Sequence, residues 1–186
     1  MTFSWTQHRF SGGALALDVA NSVILRFDAE RRIDRYADPV AVRDFATAAN
    51  RFSAEKELFG MLEPVTPENH DAFLNLREAT DRHFRAGVLG ASTGEDLADL
   101  LDAASVIIRR HKAKTARTPL DAATARSALT LATFNEPERL KICPNCQWLF
   151  LDRSRNRSRT WCDMTVCGNR VKANRHYQRQ KKELTA

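Results

Sequence analysis

Two stretches decide how this chain is read: Cys143-Pro144-Asn145-Cys146-Gln147-Trp148-Leu149-Phe150-Leu151, and further on Trp161-Cys162-Asp163-Met164-Thr165-Val166-Cys167-Gly168-Asn169-Arg170. They hold all four cysteines of a 186-residue chain, spaced Cys143-x2-Cys146-x15-Cys162-x4-Cys167. The short gap inside each pair lets two thiolates chelate together. The longer gap is enough for the chain to fold back, so four thiolates can meet at one tetrahedral Zn²⁺. A disulfide framework would need an oxidising compartment, and the first residues carry no apolar run leading to a small-residue cleavage site. Cys143-Pro144-Asn145-Cys146 also has the form of a redox Cys-Pro-x-Cys, but no strand–helix–strand pattern surrounds it and the second pair would be left without a role. One structural zinc per chain, held by Cys143, Cys146, Cys162 and Cys167, is the favoured reading. Four thiolates leave no open coordination position for catalysis.

Working outward, Gln147–Leu151 and Thr160–Cys162 read as strands, with Ser154–Ser158 as the turn between them. From Cys167 onward the chain reads as a helix. A knuckle, a hairpin and a ligand at the start of a helix is the order of a treble-clef finger, in which the helix dipole offsets thiolate charge. Trp148, Phe150 and Trp161 supply its small core. On the helix, Lys172, Arg175, Arg179 and Lys182 share one face by spacing, while Ala173 and Tyr177 lie on another and are expected to pack against the hairpin. Arg153, Arg155, Arg157 and Arg159 alternate through the turn. Arginine's planar fork suits phosphate oxygens and the guanine edge. These residues, with Arg170, are the expected nucleic-acid contacts.

The charge distribution points the same way. Net charge is +6, yet residues 139–186 carry 12 Lys+Arg against 3 Asp+Glu, and residues 1–138 carry 17 against 20. A weakly acidic body joined to a strongly basic tail suggests two parts with different work. No apolar run is long enough to span a bilayer. With no export signal, the expected location is the cytoplasm, with no membrane partner.

Residues 1–137 read as a helical domain. Phe3, Trp5 and Gln7 suit a short extended lead-in. After Ser11-Gly12-Gly13, the run from Ala14 to Leu25 has Asp18 as its one charge and reads as a buried helix. Asp38-Pro39, Thr66-Pro67 and Thr118-Pro119 each place a capping residue before a proline suited to a first helical turn. Asp96–Arg110 carries Leu97, Leu100, Leu101, Ala104, Ile107 and Ile108 as one apolar face. Five helices are expected, ending near Asn135-Glu136-Pro137. Asp18 and Asn21 sit one turn apart on the apolar helix. They are either satisfied internally, by neighbouring backbone or Arg9, or line a small-ligand pocket, and Ser11-Gly12-Gly13 offers an anion site beside them.

The segment from Leu140 to about Lys182 resembles the CGNR zinc-finger family, on the first cysteine pair, Trp148-Leu149-Phe150-Leu151-Asp152, Ser154-Arg155-Asn156, Trp161-Cys162 and Cys167-Gly168-Asn169-Arg170. Leu17-Asp18-Val19-Ala20-Asn21 is similar to the signature of the ABATE domain that usually precedes that finger. The resemblance implies a bacterial transcription regulator linked to stress, with the helical domain as sensor.

The expected architecture is therefore mainly α: a helical bundle over 1–137 and a small treble-clef-like zinc finger, β-hairpin plus helix, over 138–186. The expected partner is DNA, with a homodimer through the helical domain to supply contact area. The other reading is a protein- or RNA-docking finger attached to a ligand-binding domain. No nucleophile elbow, phosphate loop or HExxH motif is present, so no enzyme is expected.

Overall fold

The computed structural model describes residues 3–111 and 117–184, with side chains through residue 181. It is mainly α, with the small finger at the C-terminal end. The helices are α1 (Leu15–Ala20), α2 (Pro39–Phe52), α3 (Lys56–Phe59), α4 (His70–Val88), α5 (Gly94–Arg110), α6 (Leu120–Ala132) and α7 (Asn169–Leu184). The strands form three short pairs: β1 (Val23–Ile24) with β2 (Ile33–Asp34), β3 (Leu62–Glu63) with β4 (Thr118–Pro119), and β5 (Leu140–Ile142) with β6 (Leu149–Leu151). No described helix is long and apolar enough to cross a membrane.

The three proline starts differ in detail. The Asp38 carboxylate accepts from the Val40 amide and caps α2 as expected. Thr66 precedes a single 3₁₀ turn, Pro67–Asn69, and makes no side-chain cap. Thr118 instead donates its hydroxyl to the Phe59 carbonyl, and with Pro119 it pairs in parallel with β3, so α6 begins one residue late. The cap of α5 is Thr93, which exchanges hydrogen bonds with Asp96 in a capping box worth about 1 kcal/mol. Its apolar face is narrower than the sequence suggests. Leu100, Ala103, Ala104 and Ile107 are buried, while Leu97, Leu101 and Ile108 remain 39–46% exposed.

Two apolar clusters fill the body. An aromatic one gathers Phe10, Tyr36, Phe45 and Phe73 around α2, with Trp5 donating its indole N–H to the Ala41 carbonyl. Gln7 belongs to a 3₁₀ turn, Gln7–Phe10, rather than to an extended lead-in. The other cluster joins α1, α4, α5 and α6 and takes in Leu149 and Leu151 from β6. The finger thus contributes side chains to the core of the body.

Helix α1 explains how. All six of its residues are buried, but the helix is shorter than the run from Ala14 to Leu25 suggests, since Val23–Ile24 leaves it to pair with β2 and Leu25 is exposed; α1 lies along the outer edge of β6. Phe150 faces Lys141 in the β5–β6 register, so the backbone groups of Leu149 and Leu151 point away from β5. The Leu151 amide donates to the Gly12 carbonyl just before α1. At the other end, Asn21 accepts from the Leu149 amide and donates to the Leu149 carbonyl. The two ends of α1 thereby close a strand edge that would otherwise carry unpaired buried groups. Gly13, at φ +79°, must be glycine here: a Cβ would sit 3.0 Å from the Leu151 carbonyl oxygen.

The first amides of α1 are also committed. Leu15 donates to Glu55 and Ala16 to the Ser127 hydroxyl, while the Gly12 amide donates to Asp18. The anion expected after Ser11-Gly12-Gly13 is thus supplied by the chain's own carboxylates. Burial, followed by the charge of Glu55, raises the Asp18 carboxyl well above its ordinary value against the opposing pull of the Gly12 amide and Arg153. A raised folded pKa means that the native state holds the proton which the unfolded chain releases, so this group lowers stability as pH rises above the unfolded value. Asp18→Asn keeps the acceptor for Gly12 without the charge. Its melting temperature is expected to match the parent in acid and exceed it at pH 7, and equal melting curves at both pH values would show that Asp18 does not carry this dependence.

Candidate metal centre and nucleic-acid interface

The backbone brings all four cysteines to one point. Their sulfurs all lie within 4.8 Å of one another, with Cys146 to Cys162 at 3.5 Å and Cys162 to Cys167 at 3.7 Å. A tetrahedral zinc with sulfur at about 2.3 Å requires sulfur–sulfur edges of roughly 3.8 Å. A disulfide would require about 2.05 Å. All four cysteines are free, and Cys143, Cys162 and Cys167 are buried. The set is one structural zinc site.

The knuckle is built by backbone bonds. The Gln147 amide returns to the Cys143 carbonyl, with Gln147 at φ +62°, and the Cys143 amide donates to the Trp148 carbonyl. Hydrogen bonds from Cys146 and Cys162 hold the Cys143 thiol far below its ordinary value, and the contact with Cys143 pushes Cys146 and Cys162 up. A divalent cation ends that competition by displacing the protons, so zinc uptake strengthens as pH rises.

The hairpin differs from the expected one. β6 covers part of the first expected strand, but its partner is β5, upstream of the knuckle, with Leu140 opposite Leu151. The Thr160–Cys162 segment is not a strand. The alternation of Leu140, Lys141 and Ile142 is the signal that identifies β5, with both leucine and isoleucine packed toward the body. Lys141 points the other way, into the loop, where its ammonium donates to Asp152 and to the carbonyls of Arg157 and Arg159. Burial pushes the Asp152 carboxyl up, but Lys141, Ser154 and the Arg159 amide outweigh it and hold it well below the usual range.

Asp163 opens the last helix, accepting from the Thr165 and Val166 amides before a π-type turn, Met164–Gly168, that carries Cys167. A Cβ on Gly168 would meet the Met164 sulfur at 2.4 Å and the Trp161 ring at 3.2 Å. Asn169 donates to the Thr165 carbonyl, bracing this turn and not the hairpin. Helix α7 then leaves the body. Ala173 is exposed and Tyr177 is 62% exposed, so neither packs against the hairpin.

The expected basic contacts divide into two groups. Arg153 donates to the Gly13 carbonyl and approaches Glu55. Arg157 pairs with Glu136 and Glu138. Arg159 donates to the Trp161 and Cys162 carbonyls and lies over the Phe150 ring. These three bind the loop together. Arg155, Arg170, Lys172, Arg175 and Arg179 are exposed and have no carboxylate partner among the described residues. The Lys182 side chain lies outside the described residues. Asp18 and Asn21 are buried in the seam described above, and Arg9 partners neither: it stacks on Trp148.

A zinc knuckle between two strands, a connecting loop and a ligand in the first turn of a basic helix make up a treble-clef-like metal module. Residues 139–180 match the CGNR zinc finger family. All four cysteines and the basic part of α7 through Arg179 fall inside that match. A comparison with curated proteins returns no match. The zinc module was readable from its cysteines, but Lys141 and the role of Arg139, which donates to the Asp152 and Ser154 carbonyls, were not. Both lie before the first cysteine, where only the Leu140–Ile142 alternation hints at structure.

Proposed function

We propose that the chain is a regulator that binds duplex DNA through its CGNR finger, with the helical body as sensor or dimerisation domain and no catalytic step. One observation carries this reading: α7 stands clear of the body and presents Arg170, Lys172, Arg175 and Arg179 without a carboxylate partner among the described residues, whereas Arg77, Arg85, Arg139 and Arg157 are paired with acids. A helix of this kind fits the major groove, and free guanidiniums and ammoniums suit phosphates. The similarity of Leu17–Asn21 to the ABATE signature supports the sensor role, and a second copy would supply the contact area that one finger lacks.

The test replaces Lys172, Arg175, Arg179 and Lys182 by alanine in the zinc-loaded chain and follows binding of a labelled random duplex across a salt series. Loss of four phosphate contacts is expected to make the salt slope shallower by about 3–4 and to weaken binding uniformly across sequences. Unchanged affinity and slope would remove α7 as the reader. A preference for hairpin RNA over the duplex would favour the RNA-docking alternative.

A further inference from the structure

We infer that Arg9 and Arg35, together with Arg170, form a second phosphate-contacting patch near the start of α7, so that the DNA backbone is held by residues from both ends of the chain. This rests on the DNA-binding reading above and joins to the finger's Arg170 two arginines that lie outside the finger. The Arg9 guanidinium carbon is 5.4 Å from the centroid of the Trp148 ring and 5.8 Å from that of Phe3; Arg35 is 4.1 Å from Phe3. Phe3 therefore touches both guanidiniums, and Trp148 ties Arg9 to the zinc knuckle. A ring held under a guanidinium attracts its charge but accepts no conventional hydrogen bond through oxygen, so N–H groups remain for an acceptor.

No acceptor of that kind is found among the described residues. Arg9, Arg35 and Arg170 have no carboxylate partner among the described residues; the Arg35 Nε is buried without an acceptor, so the terminal nitrogens are the part of that guanidinium left for an anion. Burial first, then repulsion from Arg35 and Arg170, lowers the Arg9 pKa, opposed by Cys146. Other packed arginines do find acceptors: Arg77 pairs with Asp34, Arg85 with Asp81 and Arg26 with Glu78, and Arg159, which also lies over a ring, donates to backbone carbonyls. A cluster of like charges held by aromatic rings and left without a counter-ion is a site for an external anion. Arg9 and Arg35 are half-buried and Arg170 is exposed, so each keeps part of its side chain open to a phosphate oxygen. The competing account is that Arg9 balances the negative zinc–thiolate cluster.

The experiment uses the full zinc-loaded chain and the same duplex titration. Arg9→Gln with Arg35→Gln is expected to make the salt slope shallower by about 1.8, and Arg170→Gln alone, on an exposed position that cannot compromise the core, by about 0.9. Arg9→Lys with Arg35→Lys keeps the charges and is expected to restore most of the slope, which a purely structural stacking role would not allow. If the α7 alanine variant loses binding while the glutamine variants keep the parental slope, the patch is overturned and the DNA reading stands. If Arg9→Gln releases zinc without changing the slope, Arg9 serves the thiolates and the patch is likewise overturned. Failure of the unmodified chain to bind duplex would remove both readings together.

Discussion

Stripping the zinc with a strong chelator is expected to melt more than the finger. A structural zinc contributes about 10–16 kcal/mol at neutral pH in isolated finger peptides, comparable with the roughly 5–15 kcal/mol that separates a whole domain from its unfolded state. Without the metal, Cys143, Cys146, Cys162 and Cys167 have a small cluster of Trp148, Phe150 and Trp161, with Ile24 of the body packed against it, to hold them. The loss does not stay there. Leu149 and Leu151 are fully or almost fully buried among Leu17, Leu76, Ala79 and Phe84, and Arg85 of α4 donates to the Gln147 carbonyl beside the knuckle. The chelated protein should therefore show a lower melting temperature for its helical signal, not merely a change in the fluorescence of Trp148 and Trp161. Cys143→Ser should reproduce the effect without a chelator. A helical melt unchanged by chelation would mean that the body completes its core without β6.

The same seam marks where the sequence stopped being legible. The cysteine spacing specified the metal and its ligands, because two-point chelation constrains spacing strongly, and the unbroken run after Gly168 gave the helix that follows. The Asp-Pro and Thr-Pro steps stood near the starts of α2, α4 and α6, though of their capping residues Asp38 alone acts as expected. What was hidden was long-range. The hairpin partner of β6 precedes the knuckle, and choosing Leu140–Ile142 over Thr160–Cys162 needs knowledge of which strand the body can bury. The turn arginines look alike in sequence, yet Arg157 is drawn to Glu136 and Glu138 and Arg159 to backbone carbonyls, leaving Arg155 as the turn residue without such a partner among the described residues. Arg9 and Arg35 lie 26 positions apart and far upstream of Arg170, and only the fold around Phe3 and Trp148 places them together. Charge pattern along a chain reports amount and sign; which charges are spent internally is a property of the packed structure.

Asn21→Ala is expected to be the most damaging conservative change in the body, although Asn21 touches neither metal nor solvent. Its side chain satisfies both the amide and the carbonyl of Leu149, at 3.0 and 2.8 Å, in a place where the residue itself is 4% exposed and Leu149 is fully buried. Truncation strands a buried donor and a buried acceptor at once, and each costs about 1–3 kcal/mol. The expected loss is then about 2–6 kcal/mol, read from denaturant unfolding of the zinc-loaded chain. Asn21→Asp separates the two bonds, because it keeps the acceptor for the Leu149 amide but sets a carboxylate against the Leu149 carbonyl; it should rescue little. The decisive readout is zinc affinity. If the seam couples body to finger, a perturbation of one must appear in the other by linkage, and zinc retention should weaken about tenfold for each 1.4 kcal/mol transmitted. A variant that is less stable but holds zinc as tightly as the parent would confine Asn21 to the body. Weakened retention would make α1 the element through which an event in the helical domain reaches the finger, since its two ends are bonded directly to β6.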